Sequence, residues 1–259
     1  MKIVLLAGGL GTRLSEETNL RPKPMVEIGG KPILWHIMKI YEQYGYNDFL
    51  ICLGYKGYMI KEYFINYFLY NSDITVELHN NKLNVHYTNA ESFKVTLVET
   101  GMETNTAGRI KKIQKYLEGE ETFMLTYGDG VANIEIDKLV EFHNNHGKLA
   151  TLTSIQLPGR FGNINADSNG LVHNFKEKPD GDGNWINGGF FVLNMGIFNY
   201  LVGDMEDVQW EKKPLIDIAN DKELVSYRHK GYWKCMDAMR DKIELETEWK
   251  SGNAPWKTW

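Results

Sequence analysis

No run of about 18 consecutive apolar residues occurs in the 259-residue chain, so no membrane-spanning helix is expected. There is no basic excess either. The chain has 29 Lys and Arg against 34 Asp and Glu, a net charge of −5, which argues against a general nucleic-acid binder and a membrane-surface role. Cysteine is scarce. Cys52 and Cys235 form neither a CxxC pair nor a metal-spaced set, and each sits in an apolar run. Both fit buried, reduced thiols of a cytoplasmic protein. The 7 histidines are scattered, with no HExxH and no His/Cys cluster, so zinc is not expected. His36 lies in an apolar helical stretch and fits a structural role. No GxSxG elbow and no GxxxxGK[ST] loop appears, and GxGxxG fails because Leu14 stands where its last glycine belongs. Repeats, low-complexity segments and linkers are missing too. The opening "MKIVLLAGGLG" is a short apolar run soon followed by Arg13, Glu16 and Glu17, which predicts a first strand rather than a signal peptide.

What is present is ordinary for a soluble domain: 42% hydrophobic and 24% charged residues. Residues 3–7 predict a buried strand ahead of a glycine loop. Over 32–44, Ile33, Leu34, Ile37, Met38, Tyr41 and Tyr44 fall at helical spacing, with Pro32 in the first turn and Gly45 at the end. A strand at 49–53 and a helix at 56–69 follow. This βαβα rhythm predicts an α/β fold, a mainly parallel sheet with helices on its faces. Further strands are expected at 74–78, 83–87, 94–99, 123–127, 150–156 and 187–193. Helices are expected at 108–117, 137–145, 214–220 and 238–250, and paired strands around Asp167-Ser168-Asn169-Gly170. The length fits a single domain over 1–259.

Chemistry concentrates in "VLLAGGLGTRLSEETNLRPKPMVEIGGKPIL". Gly8, Gly9 and Gly11 leave backbone amides unobstructed after a strand, which by itself predicts no more than a tight turn. Arg13 and Lys23 shift the reading toward polyphosphate, one cation gripping oxygens as a fork and the other as a compact charge. Pro22 and Pro24 stiffen the segment, and Pro24 favours an extended backbone at Lys23. Asp129, between Gly128 and Gly130 at a strand end, fits a metal ligand and an Asp-Gly turn equally. Asp237 fits an N-cap. Glu177 and Lys178 fit a solvated ion pair or contacts to a sugar phosphate, and Asn187-Gly188-Gly189 a β-bulge or a sugar contact.

"LAGGLGTRL" and "RPKPMVEIGGKPIL", continued by "YGDG", "FKEKP", "INGGFFVL" and "WKCMDAMRD", resemble the signature of the sugar-nucleotide pyrophosphorylases. These nucleotidyltransferases join a nucleoside triphosphate to a sugar 1-phosphate. The resemblance spans essentially the whole chain. It implies a Rossmann-like three-layer nucleotide-diphospho-sugar transferase fold with a mixed, mostly parallel central sheet. About 1–130 would serve the nucleotide and about 131–259 the sugar. It implies Arg13 and Lys23 as catalytic residues, and Mg²⁺ held by Asp129 and Asp237. Nucleotide contacts would come from Leu6, Ala7, Gly8, Gly9, Gly11, Thr12, Thr106, Gly108 and Arg109. Sugar-side contacts would come from Tyr127, Gly128, Glu177, Lys178, Asn187 and Gly188.

Thymidylyl and uridylyl members carry LxPxT after the arginine, whereas this chain has Leu14-Ser15-Glu16-Glu17-Thr18. That segment, "TNTAGRI" and the ending "APWKTW" are similar to the branch that uses CTP and glucose 1-phosphate. The resemblance thus implies CDP-glucose as product, for bacterial surface polysaccharide. The residues themselves leave UTP or dTTP open as the nucleotide, and a non-catalytic binding relative as the more distant reading. A homo-oligomer is implied as well. Trp256 and Trp259 are expected to pack on this chain or a neighbour.

Overall fold

The computed structural model describes residues 1–157, 163–176 and 184–259. From the N-terminus, β1 (Ile3–Leu6) leads through a 3₁₀ turn (Thr12–Leu14), α1 (Ser15–Thr18) and a second 3₁₀ turn (Lys23–Met25) to the ladder of β2 (Glu27–Ile28) and β3 (Lys31–Pro32). Next come α2 (Ile33–Glu42), β4 (Asp48–Leu53), α3 (Gly57–Tyr70), β5 (Ser72–Glu77), β6 (Lys82–Thr88) and β7 (Lys94–Glu99). The middle holds α4 (Thr106–Lys112), β8 (Thr122–Tyr127), β9 (Gly130–Ala132), α5 (Ile136–His146), β10 (Ala150–Ile155), β11 (Asn163–Ala166) and β12 (Val172–Lys176). The chain ends with β13 (Ile186–Asn194), α6 (Lys213–Asn220), β14 (Leu224–Arg228), β15 (Trp233–Cys235) and α7 (Met239–Lys250).

Seven strands form one sheet in the order β14-β10-β13-β8-β1-β4-β7. The pairs β1/β4, β1/β8, β4/β7 and β10/β14 are parallel, and β13 alone runs against its two neighbours. The alternation along β1 shows why three layers form. Ile3 and Leu5 join a core with residues of α2, α5 and α7, while Val4 and Leu6 join a second core with residues of α4 and α6. Strands buried on both faces need apolar residues at every position, which is how β1 reads.

The C-terminal segment is tied to α2 through His36, which is fully buried. His36 Nε2 donates to the Ile28 carbonyl at 2.8 Å, which leaves Nδ1 to accept from Trp256 Nε1 at 3.4 Å. The Trp249 ring lies 4.7 Å away, edge-on. Burial pushes the His36 pKa down to about 4, so the ring is neutral near pH 7. Trp259 rests edge-on against Trp35 at 6.0 Å, so both tail tryptophans pack on this chain.

Three elements depart from expectation. The helix expected at 108–117 is α4 followed by a 3₁₀ turn (Gln114–Leu117), because Ile113, at φ −93° and ψ −1°, leaves helical geometry. Lys23 is not extended. It opens a 3₁₀ turn closed by Met25 N–H to the Pro22 carbonyl at 2.8 Å, and Pro22 instead takes the extended conformation. The β14 edge strand is absent from the expected strands, although Val225 and Tyr227 alternate with Ser226 and Arg228 along it. Away from the sheet, β5 and β6 form a two-stranded hairpin with Leu78 89% and Tyr87 61% exposed. No helix among the described residues is long and apolar enough to cross a membrane.

Candidate active site

The strand order reverses at β1, with β4 on one side and β8 on the other. Such a switch point opens a crevice beyond the carboxyl ends of the strands. A cleft of about 300 Å³ lies there. It is lined by Leu6, Ala7, Gly8, Gly9, Gly11, Thr12 and Arg13 after β1, by Lys23 and Pro24, by Thr104, Asn105, Thr106 and Arg109 around the start of α4, and by Tyr127, Gly128 and Asp129 after β8.

The glycine loop is shaped from below by Arg109, only 4% exposed. Its guanidinium donates to the carbonyls of Gly8 at 2.9 Å, Leu53 at 2.9 Å and Gly101 at 2.8 Å, and to Thr100 Oγ1 at 2.7 Å. A Cβ on Gly8 would fall 2.1 Å from Arg109 Nη1, so only glycine admits the guanidinium here. Arg109 thus lines the cleft floor while bracing three loops. Gly11, at φ 64°, takes the left-handed turn that starts the first 3₁₀ turn and swings Arg13 over the cleft. Gly108 is not among the residues lining the cleft, and on its Cβ side it packs on Met205 and Glu206, where a Cβ would sit 2.7 Å from the Met205 carbonyl oxygen.

At the mouth of the cleft, three segments converge on one charge cluster. Lys23 Nζ donates to Asp129 Oδ2 at 2.7 Å and to Asp237 Oδ1 at 2.6 Å. Arg13 Nη1 donates to Asp237 Oδ2 at 2.9 Å. The two carboxylates come from the β8–β9 turn and the β15–α7 connection. They are brought together because β15 pairs with β9, and Met236 N–H donates to the Asp129 carbonyl at 2.9 Å. Asp237 is not the helix cap. Asp241 Oδ2 takes the Asp237 and Ala238 amides at 3.0 and 2.8 Å, which leaves the Asp237 carboxylate to the cleft.

Burial would lower the Lys23 pKa, but the Asp129 charge and the hydrogen bonds to both aspartates raise it above its ordinary value. Burial would raise the Asp237 pKa, but Lys23 and Arg13 hold it below the usual carboxylate range. Lys23 and Asp237 are therefore both charged at neutral pH. Cys235, expected in the core, is only half-buried and sits with its thiol beside both carboxylates. Burial, then Asp129, pushes that thiol up, so it stays protonated.

A divalent cation fits the two carboxylates. Donor atoms of Asp129, Cys235 and Asp237 lie within 4.8 Å of one another, and the Lys23 ammonium already bridges the carboxylates as a cation would. Oxygen donors suit a hard cation that keeps water and phosphate in its remaining positions.

On the opposite wall, Tyr127 Oη donates to Glu211 Oε1 at 2.5 Å, and Asn187 Nδ2 donates to Tyr127 Oη at 3.3 Å. Burial and the adjacent Glu211 carboxylate push the Tyr127 phenol up, so it keeps its proton. The Gly188 carbonyl accepts from Trp233 Nε1 at 2.7 Å. Glu177 and Lys178 lie outside the described residues. Sequence reasoning missed Glu211, Thr104, Asn105 and the placement of Cys235.

The description "Nucleotidyl transferase" fits residues 2–238 as a family model. The chain belongs to the nucleotidyl transferase family. Within it, the chain is 54% identical over 259 residues to the "Glucose-1-phosphate cytidylyltransferase" of Salmonella typhi, covering 100% of both. It is 46% identical to the "Probable glucose-1-phosphate cytidylyltransferase" of Bacillus subtilis, again over 100% of both. Among solved structures, HddC from Yersinia pseudotuberculosis superposes with a TM-score of 0.67 at 24% identity, over 96% of this chain and 99% of that one, which shows a shared fold. Nucleotidyl transferases generally use a divalent metal, in keeping with the paired aspartates.

Proposed function

We propose that this nucleotidyl transferase moves a cytidylyl group from CTP to α-D-glucose 1-phosphate, forming CDP-glucose and pyrophosphate. The full-length 54% identity to the Salmonella typhi protein carries the choice of substrates. The cleft with Arg13 and Lys23 facing Asp129 and Asp237 supports the chemistry.

A phosphate oxygen of glucose 1-phosphate attacks the α-phosphorus of CTP. The new P–O bond forms as the bond to the β-phosphate oxygen breaks, and pyrophosphate leaves with the electron pair. A phosphate monoester is already anionic near neutral pH, so no general base is required, and catalysis reduces to alignment and charge neutralisation. Arg13 holds the departing β,γ-phosphates. Lys23, released from the carboxylates, binds the α-phosphate. Asp129 and Asp237 would hold Mg²⁺, which when bound offsets phosphate charge. Leu6, Ala7, Gly8, Gly9, Gly11, Thr12, Thr106 and Gly108 serve the nucleotide, over a floor set by Arg109. Tyr127, Gly128, Asn187 and Gly188 serve the sugar, with Glu177 and Lys178 assigned to it by family resemblance. The nucleotide part spans about 1–130 of one domain and the sugar part about 131–259. The two unpaired thiols suit work in the cytoplasm.

With glucose 1-phosphate and Mg²⁺, CTP is expected to release pyrophosphate at least tenfold faster, on the order of 1.4 kcal/mol of discrimination, than UTP, dTTP, ATP or GTP. A different preferred nucleotide, or no release from any, would overturn the assignment. The proposal includes a homo-oligomer in which a second copy covers the β5–β6 hairpin. A lone hairpin is marginal in water, and this one exposes Leu78 and Tyr87. Light scattering of the purified chain is expected to give a multiple of 29.9 kDa. A Leu78→Asp, Tyr87→Asp variant is expected to give the single-chain mass, and a wild-type monomer would refute this part.

A further inference from the structure

We infer that Glu211 is the positioning residue that sets the hydrogen-bond direction across the cleft wall, fixing Tyr127 and Asn187 on the sugar side and Thr106 on the nucleotide side. The inference deepens the reading above and rests on it.

An ionised carboxylate only accepts hydrogen bonds. Glu211 Oε1 accepts from the Tyr127 hydroxyl at 2.5 Å, and Oε2 accepts from the Thr106 hydroxyl at 2.9 Å. Both protons are thereby committed. With its own proton given to Glu211, Tyr127 Oη can only accept, and it accepts from Asn187 Nδ2 at 3.3 Å. Asn187 Oδ1 is already held by the Gly189 amide at 2.9 Å, so the side-chain amide has one orientation. One Asn187 N–H is left for a ligand. Thr106 Oγ1 likewise accepts from the Trp210 amide at 2.7 Å, so it too offers a lone pair and no proton.

The cleft wall therefore presents acceptors at Tyr127 and Thr106, with a donor beside it at Asn187, which bonds Tyr127 but is not itself among the residues lining the cleft. Hydroxyl groups, which donate and accept, suit this pattern, as on the hexose and ribose of the proposed substrates. Glu211 is half-buried, is not among the residues lining the cleft, and acts only through its partners. A purely structural account is available, because the segment carrying Glu211 also docks on α4: the amides of Asn105 and Ala107 donate to the carbonyls of Glu206 and Val208 at 2.6 and 3.0 Å. The two accounts differ in what a substitution changes.

Glu211→Ala is expected to raise KM for glucose 1-phosphate by about tenfold or more, the loss of a hydrogen bond to a charged group, with the KM for CTP moving less. In a Tyr127→Phe background, where the relay is already cut, the same substitution should raise that KM by under about twofold, since coupled residues are not additive. Glu211→Gln keeps the shape and the Tyr127 bond but faces Thr106 with a donor. It should recover most of the KM for glucose 1-phosphate. Equal rises in both KM values, additivity with Tyr127→Phe, or no effect of Glu211→Ala would overturn the inference. A readout free of turnover separates it from the proposed reaction. In ¹⁵N-labelled protein, Glu211→Ala should shift the Asn187 side-chain amide pair, assigned by its loss in Asn187→Asp, along with the amides around Tyr127, Thr106 and Trp210, and leave the wild-type pattern away from this network. An unmoved Asn187 pair refutes the positioning role even if the wild-type protein turns over none of the substrates above.

Discussion

Lys23→Ala lowers kcat by about 10²–10³ while the protein stays folded, the size of effect seen when one preorganised donor to a developing charge is removed. Lys23 is placed for both resting and working states. At rest its ammonium, with a side chain only 10% exposed, lies between Asp129 and Asp237. Without it, two carboxylates face one another across the gap, with Arg13, 76% exposed, the one other cation paired there among the described residues. That repulsion reduces stability by less than the about 3–5 kcal/mol of a fully buried broken pair, because both aspartates keep partial access to water. It also produces a signature that catalytic loss alone does not. A divalent cation can fill the gap that Lys23 occupies, so Mg²⁺ should raise the Tm of Lys23→Ala more than that of the wild-type protein, through preferential binding to the folded state. Pyrophosphate release and thermal melts with and without Mg²⁺ measure the two effects. Near wild-type turnover removes Lys23 from the chemistry, and equal Mg²⁺ shifts remove it from the gap.

The sequence made local features legible and left convergence hidden. β1 and its glycine loop could be read because an apolar run ends at glycine within a few residues, and α2 because its apolar spacing and the flanking Pro32 and Gly45 are local signals. Asp129 stood out at a strand end. Lys23 was recognised as a residue but not in its conformation. Proline restricts its neighbours, yet the Met25–Pro22 hydrogen bond and the pull of two aspartates set a tight turn. Asp237 reads as a cap from its place before the helix, but Ala238 is the N-cap and Asp241 reaches back to the Asp237 and Ala238 amides, so the Asp237 carboxylate is not used as one. Glu211 was invisible. It sits in a polar stretch, "QWEKKP", and its meaning comes from Tyr127 and Thr106, 84 and 105 positions away. Cys235 was misplaced for a related reason: the apolar run around it predicts burial, but the pairing of β15 with β9 turns its thiol toward the carboxylates.

Asp129→Ala and Asp237→Ala each lower kcat by about 10²–10³, again the scale of one lost electrostatic contact in the transition state. Neither change should unfold the protein, since in each variant Lys23 keeps one carboxylate partner. The β8–β9 turn also stays pinned by the Met236 amide on the Asp129 carbonyl, which does not depend on the side chain. The two variants should nonetheless differ. Among the described residues Asp129 pairs with Lys23 alone, whereas Asp237 also anchors Arg13. Losing Asp237 frees Arg13 and should add a rise in the KM for CTP that Asp129→Ala does not show. Divalent-ion binding separates these electrostatic roles from catalysis. Mn²⁺ titrated into the wild-type protein in the presence of CTP is expected to give an immobilised spectrum by electron paramagnetic resonance, weakened at least tenfold in affinity in either variant, on the order of 1.4 kcal/mol. Mn²⁺ held as tightly by Asp129→Ala as by the wild-type protein would mean that the paired aspartates serve only to hold Lys23, and that phosphate charge is met entirely by Arg13 and Lys23.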